Sequence, residues 1–203
     1  MGPPQADVAL REALAMGCDE AYLVSAREFG GSDTYATSGI IAAALKKIGY
    51  DLIITGRQAI DGDTAQVGPQ IAEKLHLPQV SYVEEVVEAA ADHVVVKRQF
   101  EDGYHIIKIK TPCLLTAIAE LATPRYMSVR GIVEAYEKEI KVLGFEDLKD
   151  GLELDMIGLK GSPTNVYQSF TKEVKGAGTI LEGLSADEAV KAIMDKLEAK
   201  FII

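Results

Sequence analysis

The architecture of this chain follows from one segment, Asp51-Leu-Ile-Ile-Thr-Gly-Arg-Gln-Ala-Ile-Asp-Gly-Asp-Thr-Ala-Gln-Val-Gly-Pro-Gln-Ile-Ala-Glu-Lys-Leu75. Its opening run, Leu52 to Ile54, is apolar and rich in β-branched residues, and it is too short for a buried helix, so it predicts a strand. A polar loop that contains Gly56 and Gly62 follows. A strand, a glycine-bearing loop and a helix in this order present free backbone N–H groups to an anion. The helix is indicated by apolar residues at helical spacing: Val67, Ile71, Ala72 and Leu75.

The start of this helix has two possible positions. Asp63 and Gln66 have the spacing of a capping pair, but Pro69 would then lie inside the helix at a cost of about 3 kcal/mol. Alternatively the helix begins near Val67, where Pro69 falls in the first turn and its missing donor costs little. In either case the amides of residues 61–68 point out of a helix N-terminus. The segment is either a phosphate cradle or a well-capped βα loop, since it matches neither the Walker nor the dinucleotide glycine pattern.

The elements before this segment extend the same alternation. A helix opened by Pro3 or Pro4 ends at Gly17, a strand covers residues 21–25, and a second helix capped by Ser32 or Asp33 runs to Gly49. This order predicts an α/β fold with a doubly wound parallel sheet. Met1-Gly2 resembles the end of a strand, and a parallel sheet needs a crossover before its next strand, so we expect the opening β–α–β portion to be missing.

The rhythm changes after Gln79, where two alternating runs, 94–100 and 104–110, flank Asp102-Gly103. This dipeptide is a hairpin turn signal, so we expect an antiparallel hairpin beside the parallel sheet. Residues 113–117 then form a last short core strand, and Cys113 is expected to be a small core residue.

The C-terminal part has few core residues. A turn at residues 123–126 precedes a short helix that includes Ile132, Val133, Tyr136 and Ile140, and the glycine-rich residues 144–183 predict an extended arm, ordered on a partner chain or else disordered. Ser185 and Glu188 form a capping box for a closing helix. We therefore expect a nucleotide-binding α/β domain over 1–122, incomplete at its N-terminus, and a partner-docking segment and C-terminal arm with a terminal helix over 123–203.

Composition and charge exclude several classes of function. The formal charge of −10 and the absence of a basic cluster argue against nucleic acid binding. No apolar run approaches the roughly 18–20 residues of a membrane span. The two cysteines suit a reducing compartment, and the start lacks the apolar region of a signal peptide, so we expect a cytoplasmic protein. Neither a metal-ligand spacing nor a catalytic set is evident, which favours a protein that binds a nucleotide or redox cofactor.

Three motifs resemble those of one known family, the β subunit of electron transfer flavoprotein, a heterodimeric flavin protein. The segment Gly56 to Val67 looks like the adenine-nucleotide loop of this family. Residues 96–116 are close to the family signature, with His105 where Glu or Gln is usual. Residues 123–132 resemble the loop with which the β subunit docks on dehydrogenases, with Val129 in place of the usual leucine.

The resemblance implies an adenine-nucleotide α-hydrolase-like fold and an α subunit that holds one FAD between the two chains. In one branch of the family the β site holds AMP, and in the electron-bifurcating branch it holds a second FAD that takes a hydride from NADH. Residues 1–6 and 61–70 look more like the bifurcating proteins of anaerobes, so FAD is favoured and AMP is the alternative. The family also has a longer N-terminal segment with the central strand of the sheet, so we expect a shortened chain or a mis-set start.

The resemblance also implies site residues and partners. The chain would be an electron carrier subunit that passes electrons between NADH or a dehydrogenase, such as an acyl-CoA dehydrogenase, and acceptor partners. The alternative is a flavin-free regulatory module that binds AMP or ATP. Because like charges repel, Asp61 and Asp63 are expected to fix the loop or cap the helix and not to touch phosphate. Met127, Val129 and Ile132 are expected to dock the partner. The expected cofactor-binding residues are Met1, Gly56, Arg57, Gln58, Ala59, Ile60, Asp61, Gly62, Asp63, Thr64, Ala65, Gln66 and Val67.

Overall fold

The computed structural model describes residues 1–171 and 176–202. None of the helices in these ranges is both long enough and apolar enough to span a bilayer. The α-helices are α1 (Asp7–Ala15), α2 (Thr34–Ile48), α3 (Val67–Leu75), α4 (Val129–Glu137), α5 (Phe145–Leu148) and α6 (Ala186–Glu198). The strands are β1 (Ala21–Val24), β2 (Leu52–Gly56), β3 (Gln79–Ala89), β4 (His93–Gln99), β5 (Tyr104–Lys110), β6 (Cys113–Ala117) and β7 (Ile140–Leu143).

The strands form two sheets, so the fold is mixed α/β. β1 and β7 make a parallel pair, and the five-stranded sheet has the order β2-β6-β3-β4-β5. β2, β6 and β3 are parallel, whereas β4 and β5 add the antiparallel hairpin. The α/β class and the parallel strands are as predicted, but the doubly wound arrangement stays a prediction, because no strand among the described residues pairs with both β1 and β2.

Helix α2 connects the two sheets through two hydrophobic clusters. Ile40 and Ala44 pack in the first cluster, which covers the β1–β7 pair and includes Val24 and Leu143. Ala42 belongs to the second cluster, with members from β2, α3 and β6: Ile53, Ile71, Ala72, Leu75 and Leu114. One helix thus holds two sheets in place without a shared strand.

The predicted starts of three helices are confirmed. The Asp33 carboxylate accepts from the Ala36 N–H at 3.0 Å and caps α2. Helix α3 begins at Val67, which leaves Pro69 in its first turn as in the second alternative. The capping box at Ser185 opens α6.

The hairpin and the core strand are confirmed as well. The Phe100 N–H donates to the Gly103 carbonyl at 2.8 Å, which closes the turn between β4 and β5. Strand β6 is buried along most of its length, and Cys113 lies fully inside. Burial raises the pKa of the Cys113 thiol, so it stays protonated as a core side chain.

The helix predicted through Ile140 ends earlier. Helix α4 stops at Glu137 because the backbone of Lys138 is extended, and Ile140 begins β7. Apolar spacing could not separate the two elements, since Ile140 continues the helical stripe of Ile132 and Tyr136.

The structure divides into two compact units, Met1–Asn165 and Val166–Ile203. The prediction of an extended arm from residue 144 is wrong for residues up to 165, because Leu148 and Ile157 are buried in the first unit with Phe29. The second unit contains α6, and its residues 166–171 and 176–184 form neither helix nor strand. The functional division at residue 122 stays a prediction.

Candidate functional site

The candidate site is the loop between β2 and α3, residues 57–66. It leaves the carboxyl end of β2, where Gly56 is paired in register with Ala117 of β6. Ligands of open α/β sheets bind at this edge, outside the carboxyl ends of the strands. The position predicted for the site in the sequence is therefore the position where such folds hold ligands.

The loop carries a run of unpaired backbone donors. Gln66 precedes α3 without capping it through its side chain. Of the loop amides, that of Asp63 donates to the Ala59 carbonyl at 3.0 Å and that of Gly62 to the Asp61 carboxylate at 2.9 Å. Within the described residues, no acceptor faces the amides of residues 64–68. These amides and the helix dipole together make a partial positive charge that favours an anion.

Left-handed backbone shapes the loop. Asp63 and Ala65 have φ values of 49° and 52°, although neither is glycine. Such residues cost about 1–3 kcal/mol each and cluster at ligand sites, and left-handed residues in a turn form the concave nests of N–H groups that bind anions. A side-chain hydrogen bond from Gln58 to Asp63 holds the turn. Asp61 and Asp63 therefore bond within the loop, as expected.

Three glycines define the space around the loop. A Cβ built on Gly56 or Gly62 meets nothing within 4 Å, so both positions are open to an approaching molecule. A Cβ on Gly68 would lie 2.6 Å from Thr55 Oγ1 and 2.8 Å from Thr116 Cγ2, so this glycine lets α3 pack on the sheet. Thr55 Oγ1 is itself buried, and none of the residues that the structure describes forms a hydrogen bond with it. Open space beside unpaired donors leaves room for an anionic group at this loop.

A cavity of about 690 Å³ lies at the carboxyl end of β1. Met1 is in its lining, and the neighbouring Gly2 N–H donates to the Val24 carbonyl at 3.1 Å. The structure does not place Met1 in one cavity with residues 56–67, since the lining residues described come from 1–4 and 24–32. A hydrogen bond of 2.8 Å from Thr34 Oγ1 to Gln66 Oε1 links the two neighbourhoods.

Residues 157–164 close over the β1–α2 connection through a polar network that the sequence analysis did not predict. Ser162 accepts from the Asp33 N–H at 2.8 Å, and the Asp33 carboxylate accepts from the Thr164 N–H at 3.0 Å and from its hydroxyl at 2.8 Å. Burial alone would raise the pKa of Asp33, but the hydrogen bonds from Ala36 and Thr164 lower it overall. In the sequence, Gly30, Gly31 and Ser32 after β1 were the residues that could have indicated a ligand-binding loop here.

The expected docking residues lie at the start of α4. Met127 and Ile132 line a cavity of about 210 Å³ between α4 and α1, together with Tyr136. Val129 is outside this cavity and is 82% exposed. The structure therefore brings two of the three predicted residues together and leaves the third on the open surface.

Metal-ligating side chains do not form a cluster in the parts described. No group of three or more His, Cys, Asp or Glu side chains in 1–171 and 176–202 could hold a metal ion. His93 contacts the carboxylates of Asp92 and Glu88 at the surface.

Comparison with known proteins identifies the family. Residues 1–148 match the electron transfer flavoprotein domain. The chain is 56% identical to the acryloyl-CoA reductase electron transfer subunit gamma of Anaerotignum propionicum, and the match covers 100% of this chain and 78% of that protein. It is 53% identical to the electron transfer flavoprotein subunit beta of Thermoanaerobacterium thermosaccharolyticum and 52% identical to the caffeyl-CoA reductase-Etf complex subunit CarD of Acetobacterium woodii, each over 100% of this chain and 77% of the relative. The chain therefore belongs to the electron transfer flavoprotein family, as a β subunit.

Proposed function

We propose that residues 56–67 hold the phosphates of an FAD in this β subunit, with AMP as the alternative ligand. The observation that carries the proposal is the run of unpaired amides at residues 64–68 beside the open positions Gly56 and Gly62. A bound FAD supplies the redox chemistry, while the protein supplies placement and electrostatics.

The electrostatics of the loop are compatible with a dianionic group in an acidic protein. The chain has a formal charge of −10, which repels phosphate at long range. Free N–H groups at a helix N-terminus offset this locally, by about 0.3–1 kcal/mol for each favourable charge. The two loop carboxylates are engaged, Asp61 with the Gly62 N–H and Asp63 with Gln58.

The cavity at the end of β1 is the proposed place for the adenosine. Its volume of about 690 Å³ lies within the range of small-molecule sites, and Met1 and Phe29 give it apolar walls. The hydrogen bond from Thr34 to Gln66 would hold the phosphate loop at a fixed position relative to this cavity. FAD and AMP share an adenosine and one phosphate, so these features support both.

The proposed partners are an α subunit, which holds another FAD, and a dehydrogenase of the acyl-CoA class, with NADH as electron donor in a bifurcating reaction. Two relatives are named as parts of acryloyl-CoA reductase and caffeyl-CoA reductase systems, which supports this partner class and this branch. Met127, Val129 and Ile132 would anchor the dehydrogenase, because Val129 and Ile132 are exposed apolar side chains and Met127 and Ile132 line a small cavity. We propose a cytoplasmic location for the complex.

We also propose that the complete fold is doubly wound, with a further parallel strand between β1 and β2. Each of these strands has one paired neighbour among the described residues, β7 and β6 respectively. A strand between them would join both sheets under α2, which already packs on each. The family resemblance supports this position for the strand.

The test is to coexpress the chain with an α subunit and to identify the molecules released on denaturation by mass and absorbance. We expect two FAD per heterodimer and flavin reduction by NADH. One FAD with one AMP, and no reduction by NADH, would instead support the carrier that does not bifurcate. A colourless complex that retains only AMP would support the regulatory module.

Gly62→Val tests the loop itself. The substitution puts a Cβ into space that is free of protein atoms, so it should block a ligand without destabilising the fold. We expect the complex to lose one nucleotide and keep the other. Gly103→Val is the matched control, because a Cβ at Gly103 also meets nothing within 4 Å, and it lies in the hairpin turn. Full retention of both nucleotides in Gly62→Val would remove the loop from the site.

A further inference from the structure

A second concave surface lies beside the loop, at the carboxyl edge of the five-stranded sheet. Val83 of β3 is in register with Ala117 of β6, so Tyr82 stands where the parallel strands end. The cavity has a volume of about 360 Å³, within the range of small-molecule sites. We call it the Arg57–Arg98 pocket, and its lining residues are Arg57, Tyr82, Arg98, Gln99, Phe100 and Glu101.

The two arginines of this pocket have no acidic partner in the part of the chain that the structure describes. The chain has 31 acidic and 21 basic residues, yet neither Arg57 nor Arg98 forms an ion pair, not even with Glu101 in the same lining. The Nε–H of Arg98 is buried and has no hydrogen-bond partner among the described residues. A buried unpaired donor is destabilising, and more so when it is charged, so a bound oxyanion would remove this penalty.

Aromatic rings fix the orientation of Arg98. Its Cζ lies 4.4 Å from the centroid of the Phe100 ring, and the Phe100 and His105 rings are 4.3 Å apart. A guanidinium stacked on a ring keeps its planar fork of donors free for a bidentate partner. The fork is therefore preorganised before any ligand arrives.

Tyr82 adds a strained wall to the pocket. Its φ is 58°, which is an outlier for a bulky residue inside a strand, and it lies at the irregularity between Val80 and Val83. The Tyr82 N–H donates to Thr116 Oγ1 at 3.1 Å, which holds this conformation. Strain of this kind is found where a side chain must be aimed at a ligand.

We propose that Arg57 and Arg98 form an oxyanion site that binds a phosphate of a phosphorylated small molecule. Two guanidinium groups and one carboxylate give the lining a positive balance, and the fork geometry of arginine matches phosphate. A concave shape of about 360 Å³ favours a small molecule over a protein surface. The inference goes beyond the loop proposal, because Tyr82, Arg98 and Phe100 lie outside residues 56–67.

The test is calorimetric titration of the full chain with inorganic pyrophosphate, which probes both the loop and the pocket. We expect two classes of site in the unmodified chain. Arg98→Gln should weaken one class at least tenfold, and Arg98→Lys, which keeps the charge without the fork, should weaken it less. Phe100→Leu, which removes the ring that orients Arg98 and lies outside residues 56–67, provides the same test should Arg98→Gln fail to fold. Lys110→Gln is the control, since it removes one positive charge from the exposed end of β5.

The outcomes separate this proposal from the loop proposal. Loss of one class in Gly62→Val and of the other in Arg98→Gln supports both. Loss in Gly62→Val alone, with Arg98→Gln and Phe100→Leu unchanged, would overturn the pocket and keep the loop. Loss in Arg98→Gln alone would keep the pocket and count against the loop. Malonate binding the pocket as tightly as pyrophosphate would overturn the phosphate assignment in favour of a carboxylate.

Discussion

At the scale of single residues, Asp33 connects three parts of the first unit. Its carboxylate caps α2 through the Ala36 N–H and also accepts two hydrogen bonds from Thr164. Its own N–H donates to Ser162, which is buried. The sequence predicted the cap, because Asp before an apolar helical stripe is a local signal, but Thr164 is 131 residues away and no spacing rule reaches it.

The lowered pKa of Asp33 gives a prediction for the pH dependence of stability. The pKa of the Asp33 carboxyl is lower in the folded state than its ordinary value of about 3.9. Its ionised form therefore stabilises the protein at pH values above the ordinary pKa, and this contribution is lost as the pH falls through the folded pKa. In Asp33→Asn the amide oxygen can still cap α2, but the amide NH₂ group is a donor and cannot accept the hydrogen bonds from Thr164. We expect a loss of about 1–2 kcal/mol in the free energy of unfolding near neutral pH, measured with urea.

The difference between Asp33→Asn and the unmodified chain should shrink below about pH 4, since protonation weakens the same bonds in the unmodified protein. Asp150→Asn is the control, at an exposed residue without a side-chain hydrogen bond in the described structure. A difference that is constant from pH 7 to pH 3 would show that ionisation of Asp33 has no part in the effect.

At the scale of elements, local signals located the loop and the helix starts, but they did not locate β7. Asp33, Pro69 and Ser185 each mark a helix start by chemistry within one turn. Strand β7 forms because it pairs with β1, which lies far earlier in the chain: Ile140 is in register with Ala21. The unpaired amides of the loop were predictable from its place between a strand and a helix, whereas the Arg57–Arg98 pocket needs three strands to meet.

Helix α4, which carries the proposed docking residues, is held on α1 by Arg11. One Nη of Arg11 donates to the Ala135 and Lys138 carbonyls at 2.6 Å each, where the helix ends. A Cβ on Gly131 would lie 2.8 Å from the Ala15 carbonyl oxygen, so the two helices approach closely at that glycine. The position of α4 thus depends on contacts that lie outside the docking residues.

Replacing Arg11 should therefore loosen α4. In Arg11→Gln we expect the amides of residues 129–137 to exchange with deuterium about tenfold faster, which corresponds to about 1.4 kcal/mol of lost local stability. Arg130→Gln is the control, because Arg130 is exposed and its bond with Glu134 is an (i, i+4) surface pair worth about 0.3–0.5 kcal/mol. Equal exchange in both variants would mean that Arg11 does not hold the helix.

At the scale of the whole molecule, the two faces of β2 differ in a way that the doubly wound proposal explains. Ile53 is buried under α2 and α3, but its neighbour Ile54 points to the other face and is 55% exposed. Strands of parallel sheets are normally covered on both faces. An apolar side chain left open at the centre of a strand, next to an edge that is unpaired among the described residues, supports the proposed additional strand.

Adding that chain should order both edges at once. We would fuse to this protein the residues that the Thermoanaerobacterium thermosaccharolyticum β subunit has outside its match, which covers 77% of that relative. A parallel strand between β1 and β2 gives both edges hydrogen-bond partners, so the amides of residues 21–24 and 52–56 should exchange more slowly together. The melting temperature should rise, by about 2–4 °C for each kcal/mol gained. A Gly/Ser segment of equal length is the control, since it is flexible and has no strand propensity. Slower exchange at one edge only would contradict a strand shared by the two sheets, because a shared strand must pair with both.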